Sequence, residues 1–280
     1  MMRRAEMIPR NMRIDFSGVP MFWSSNKSYA TATNAGSVGA TGFEPYLNKV
    51  MAWARDELGG RDPEVARDID LFIAQEGHHY RVHNAFNKQL YLRYPRTRDF
   101  EIELAEDLRK QFETKSLDYN LAYCCGFENF ACLMAQFMFG PALRWYDQAE
   151  NRMAVLWQWH LAEEYEHRAA CHDAFRAVSG NYFTRIRGLI TFIRHVLPWQ
   201  KRLLDYVFEI DRAEMSETER AASVAERKRY ERTVAWFVFP RVVKLLLPFY
   251  DPRKQKAPRE LHEALGRFSE IAEKREPLTA

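Results

Sequence analysis

An all-α fold, a ferritin-like four-helix bundle core with additional C-terminal helices, is what this 280-residue sequence predicts. Three observations carry that expectation. Apolar residues recur at helical spacing over most of the chain, helix start and stop signals punctuate it at matching intervals, and no stretch alternates with the period of a strand.

Residues 1–40, rich in Ser, Thr, Gly and Asn around SSNKSYATATNAGSVGATG, have little periodicity and are expected to form an irregular N-terminal arm. A first helix follows Gly42, with Leu47, Val50, Met51 and Ala54 on one face, and stops at Gly59-Gly60. Asp62 as N-cap, Pro63 in the first turn and Glu64 after it open a second helix reaching about Tyr91. A third helical stretch covers about 99–138 and ends at Gly140-Pro141; a fourth covers about 141–178. Two more, about 182–214 and 217–247, complete the body, the second opened by the capping-box pattern Ser216-Glu-Thr-Glu219. Residues 41–250 thus read as one helical domain and 251–280 as a tail with a short helix.

A net charge of +3 on this length does not point to nucleic acid as a partner. The cysteines at 124, 125, 132 and 171 all fall in helical patterns, without zinc-ligand spacing or a secreted disulfide framework, which suits a reducing cytoplasm. The N-terminus MMRRAEMIPRNMR lacks the apolar run of a signal peptide. The most apolar late stretch, 233–250, is broken by Pro240, Arg241, Lys244 and Pro248, so a core or interfacial helix is expected there instead of a membrane span.

The chemistry lies in the stripes that should be purely apolar. Ile69, Phe72 and Ile73 lead to Phe86 and Leu90, yet Glu76, His79 and His83 lie on the same stripe. Leu121, Cys124, Cys125 and Ala131 flank Glu128; Met153, Leu156 and Trp157 precede His160, Glu164 and His167. Positions i, i+4 and i+7 of a helix fall within about 60° of one another, so each set shares a face. Glu44 opens the first helix, with Pro45 directly after it. Buried carboxylates need compensation. Four glutamates carry −4 and two divalent cations +4, which gives a neutral core; buried salt bridges to arginine are the alternative.

Glu-x-x-His alone is a weak signal. Order strengthens it: Glu44 is followed after 32 residues by Glu76/His79, and Glu128 after 36 by Glu164/His167, one helical-hairpin unit used twice. His160 is expected to ligate or to hydrogen-bond a ligand, and His83 is open between the same two roles. His78 points away from His79; His172, His195 and His262 are expected to be structural; Glu163 and Glu166 flank the site but face elsewhere, and Cys171 could line the cavity.

The stretches FIAQEGHHYRVHNAFN (72–87), WQWHLAEEYEHRAACHDAF (157–175) and IDFSGVPMFW (14–23) resemble a bacterial family of predicted metal-dependent hydrolases, over about residues 8–250. His160, Glu164 and His167 are also similar to the His-x-x-x-Glu-x-x-His of the di-iron N-oxygenases acting on arylamines, and some members of the first family look like natural-product hydroxylases of diterpenoid-type scaffolds. That second resemblance implies Glu44, Glu76, His79, Glu128, His160, Glu164 and His167 as ligands of two iron ions, with manganese as the alternative metal.

The leading expectation is a non-haem di-iron monooxygenase, an oxidoreductase using O₂ on a hydrophobic small molecule. An external electron donor, a reductase or ferredoxin, would be its partner, and a homodimer is allowed. Phe183, Phe192, Trp199, Phe208, Trp236, Phe237 and Phe239 would wall the site. The alternatives are a metal-dependent hydrolase of an ester or phosphoester and a non-catalytic iron-binding or ferroxidase protein.

Overall fold

A computed structural model describes residues 7–274 and 276–279. It is all-α: α1 (Lys27–Leu58), α2 (Pro63–Arg93), α3 (Thr97–Thr114), α4 (Leu117–Met138), α5 (Asn151–Glu166), α6 (Ala170–Val178), α7 (Tyr182–Arg212), α8 (Glu217–Leu245) and α9 (Arg259–Glu273). Among the described residues no sheet forms; Ile14 and Leu278 make one isolated bridge.

α1 lies along α2, and α4 faces α5 and α6, with α1 also touching α4 and α6. These helices enclose the centre of the bundle. α7 packs lengthwise on α4, where Gly126 faces Phe192 and Gly188 faces the Ala122 backbone, and a side chain on either glycine would hold the two helices apart. α9 closes over α5.

The N-terminal helix corrects the sequence reading. Residues 27–40 are not irregular: α1 starts at Lys27, capped by Asn26 Oδ1, which accepts from Tyr29 N at 2.9 Å. Its first half buries Ala30, Asn34, Ala35, Ser37 and Val38, small and polar groups on more than one face, so no amphipathic stripe marks it. Nor does Pro45 begin the helix. It sits inside α1, where its missing N–H leaves the Thr41 carbonyl without its usual donor.

The third expected stretch is two helices, α3 and α4, broken between Thr114 and Leu117. The fourth is a 3₁₀ turn (Leu143–Tyr146), then α5 and α6, separated at 167–169. α2, α7 and α8 lie close to their expected spans: Asp62 and Asn181 accept from Val65 N and Thr184 N, and Ser216 with Glu219 forms the capping box.

Candidate metal centre

Four helices send ionisable side chains to the middle of the bundle: Glu44 from α1, Glu76, His79 and His83 from α2, Glu128 from α4, and His160, Glu164 and the C-cap His167 from α5. None is more than 5% exposed. One atom each from Glu76, His79, Glu164 and His167 lies within 4.8 Å of the others, and so does one each from Glu44, His83 and His160.

Glu164 stands between the two sets. Its Oε1 is 3.1 Å from His160 Nε2 and 3.9 Å from His79 Nδ1, while its Oε2 is 3.9 Å from His167 Nε2. Glu76 mirrors this, with Oε2 3.9 Å from His79 Nδ1 and Oε1 3.2 Å from His167 Nε2. Glu44 Oε1 approaches His160 Nδ1 at 3.8 Å.

Proximity here is not bonding. Both oxygens of Glu44, Glu76 and Glu164, Glu128 Oε1, His79 Nδ1 and His167 Nε2 are buried without a hydrogen-bond partner. Buried polar atoms are nearly always bonded. Nine such atoms, carboxylate oxygens and imidazole nitrogens gathered about one centre, form a donor set fit to ligate cations. The donor set of carboxylate and imidazole suits a first-row divalent metal. Arginine is not the compensating group: Arg10 bonds Glu163 and Glu166, and no Arg or Lys among the described residues pairs with Glu44, Glu76, Glu128 or Glu164.

The outer faces of the histidines are fixed. His79 Nε2 donates to Glu163 Oε2 at 3.0 Å, and Arg10 grips Glu163 from behind, with its N–H and guanidinium on Oε1 at 3.2 and 3.0 Å. His167 Nδ1 is 2.9 Å from Glu128 Oε2. Each carboxylate holds one ring nitrogen and leaves the other, Nδ1 of His79 and Nε2 of His167, facing inward.

A longer chain fixes His160. Asn87 Nδ2 donates to the Ser37 carbonyl at 3.2 Å, which sets the amide, so Asn87 Oδ1 accepts the Ser37 hydroxyl proton at 2.6 Å. Ser37 Oγ then accepts from His83 Nδ1 at 2.8 Å, and the bare His83 Nε2 accepts from His160 Nδ1 at 2.8 Å. Neutral His160 therefore presents the lone pair of Nε2 to Glu164. Burial first, then neighbouring histidines, keep His83 and His160 below the ordinary imidazole range, consistent with both being neutral.

Charge is shared unevenly over the carboxylates. Burial, then Glu76, pushes Glu44 well up; burial with Glu164 and Glu76 nearby pushes Glu128 up to about 8. Glu164 is also buried, but the His167 imidazolium first, and His79 beside it, hold it down at about 2. Burial disfavours the His167 imidazolium, yet Glu128 and Glu164 raise it to about 10.

The structure thus brings together all eight residues expected at the site. The roles are more divided than expected: His83 has both nitrogens engaged within the protein, and Glu128 bonds His167. Glu163 and Glu166, expected either in solvent or supporting a ligand from behind, are buried on Arg10, and Glu163 also holds His79. Arg10, Ser37 and Asn87 went unrecognised in the sequence, because a lone arginine in an aperiodic segment, a serine among the small residues of α1 and a single amide on α2 carry no pattern. Cys171 packs its Sγ on Met51 Sδ at 3.6 Å. Of the expected aromatic wall, Phe192, Trp199 and Phe208 are buried, but Phe183, Trp236 and Phe239 point to solvent because they lie on the outer faces of α7 and α8.

Comparison with known families decides the class. The family described as predicted metal-dependent hydrolase matches residues 8–256. The chain belongs to that family. No curated protein and no solved structure matches it, so the likeness to arylamine N-oxygenases rests on ligand spacing alone. The expected oxidoreductase is corrected accordingly: the family is described as one of predicted metal-dependent hydrolases, and the ligand spacing that suggested oxygen chemistry bears on which side chains could hold a cation, not on which bond is broken. O₂ and an electron donor were expected for that oxidoreductase; hydrolysis requires neither.

Proposed function

We propose that this protein is a metal-dependent hydrolase acting on an ester or phosphoester, with two divalent cations held in the bundle core. The observation that carries the reading is the group of unpartnered oxygens on Glu44, Glu76 and Glu164, with no arginine or lysine of the described residues among them, in a chain of a family described as predicted metal-dependent hydrolase. Glu76, His79, Glu164 and His167 would hold one cation; Glu44, His160 and Glu164 would hold the other. Bound there, the cations would supply Lewis acidity and make a neighbouring water acidic enough to attack.

The chain's own groups do the rest. Glu163 and Glu128 orient His79 and His167 from outside, and the Asn87–Ser37–His83 chain orients His160. Trp159 stacked edge-on to His79 and Phe72 edge-on to His167, with ring centroids 4.9 and 4.8 Å apart, keep water off the outer faces of those rings.

Metal analysis together with hydrolysis of chromogenic esters and phosphoesters tests the reading. About two first-row divalent ions per chain are expected, with turnover lost on chelation and restored by manganese, zinc or ferrous iron without oxygen. Glu164→Gln should abolish turnover and lower metal content while leaving the helical content unchanged. A metal-free chain that hydrolyses equally well, or a folded chain that takes up no cation, would refute it.

A further inference from the structure

The outward faces of α7 and α8 form a surface that the proposed chemistry does not use. On α7 the exposed positions follow a seven-residue repeat: Phe183, Ile190 and Leu197 alternate with Arg187, Arg194 and Lys201. On α8 the exposed stripe runs from Arg229 and Arg232 through Trp236 and Phe239 to Val243 and Lys244. Trp236 is 82% exposed, Phe183 79%, Phe249 75% and Phe239 73%. Aromatic side chains this large are usually buried, and a contiguous set left in water marks a contact surface.

The two stripes are contiguous. Tyr182 Oη donates to the Leu246 carbonyl at 2.7 Å, and Arg185 donates to the Leu245 and Leu247 carbonyls at 2.7 and 2.8 Å. Further along, Leu189 and Ile193 of α7 and Val238 and Val242 of α8 gather in one apolar cluster with Leu133 of α4, and Arg227 of α8 donates to Asp205 of α7 at 2.7 Å. The start of α7 therefore meets the end of α8, and the helices run antiparallel with their outer faces side by side.

Charge selects the occupant. No acid occurs between Tyr182 and Leu204, and the one acid of α8 after Lys228, Glu231, is bonded to Arg227 at 2.6 Å. Among the described residues Arg194, Arg229, Arg232 and Lys244 pair with no carboxylate. Arg229 and Arg232 also border a groove with Arg144; the Glu226 carboxylate in it is already taken by Ser28 N and Oγ at 2.9 and 2.8 Å. A second copy of the chain would set these cations against their own image. A layer that is apolar inside and anionic at its surface satisfies both components at once.

We propose that the α7–α8 face seats on an anionic lipid bilayer, with Trp236, Phe239 and Phe183 entering the acyl boundary and the basic groups meeting lipid phosphates. The attachment lies on the membrane and does not span it: among the described residues no helix is long and apolar enough to cross. This holds whatever bond the core cleaves, since none of these residues reaches it.

Flotation of the full chain with phosphatidylcholine vesicles, with and without phosphatidylglycerol, tests it. Binding is expected only to the anionic vesicles, weakening with salt, and brominated lipid should quench a fluorescence component that Trp236→Phe removes. Trp236→Glu with Phe239→Glu should abolish flotation, and Arg229→Gln and Arg232→Gln should each weaken it about fivefold. Unchanged circular dichroism and metal content in these variants would exclude misfolding as the cause. Failure of the wild-type chain to float with anionic vesicles would overturn the proposal. So would a dimer in sedimentation equilibrium that the double glutamate variant dissociates without any lipid binding, which would assign the face to a second copy.

Discussion

Ser37 is a small residue with a disproportionate effect, because it passes the fixed amide of Asn87 on to His83 and so to His160. Ser37→Ala removes the acceptor for His83 Nδ1–H and frees both rings to change tautomer. The expected result is about 10- to 100-fold weaker binding of one cation, with the other retained, and recovery in Ser37→Thr. Chelator competition measures the affinity, and ring ¹⁵N shifts read the tautomer that a merely structural role would not move. A second residue-scale expectation concerns pH in the metal-free chain. His167 rises from 6.5 to about 10 on folding and Glu128 from 4.5 to about 8. Both are raised, so each stabilises the fold fully below its ordinary value and loses that contribution as pH climbs through the folded one. Denaturant midpoints of the metal-free chain should therefore fall from about pH 6.5 to about pH 10. A metal-free midpoint that climbs over that range would contradict it.

At the scale of the element, the site depends on how closely helices approach. α7 can lie on α4 only because Gly188 has no side chain: an added Cβ would overlap the backbone carbonyl of Ala122, and backbone cannot rotate away. Gly188→Ala should destabilise the protein by about 1–3 kcal/mol, outweighing its gain in helix propensity, as read from urea unfolding. Gly77→Ala is the control, since nothing lies within 4 Å of its added Cβ. The expected helices α2, α7 and α8 were legible because their caps and stripes are local properties. The first half of α1 was not: most of its buried residues are Ala, Ser, Thr and Asn, whose burial is dictated by α2 and by the rings of Trp157 and Trp199 lying near Gly36 and Gly39.

Across the whole molecule, the arm before α1 is tied to the bundle through two buried arginines, Arg10 and Arg152, the latter donating to the Asp15 and Ser17 carbonyls. Arg10 joins Glu163 and Glu166 of α5 to Ser269 of α9, so the two ends of the chain close over the same wall of the site. The core these walls enclose holds four carboxylates, and cations that bind only the folded state must stabilise it by mass action. Loading at about 100 times the dissociation constant should add about 2.7 kcal/mol per site, and chelation should lower the melting temperature correspondingly. Calorimetry at fixed free metal measures it; a melting temperature independent of metal would remove the cations from the core.

By itself the sequence determined the helical class and the ligand-type residues, because both follow from the 100° step between neighbouring helix positions: a glutamate on an apolar stripe is buried wherever that stripe goes. The tertiary structure decided everything that depends on a partner far along the chain. It set which nitrogen of each histidine faces inward, because Glu163, Glu128 and Ser37 come from other elements than the rings they hold. It put Glu163 in the core and Trp236 in solvent, since a helix has two sides and only its neighbours determine which is covered. Spacing along a chain records how residues share a face. It carries no record of what that face meets.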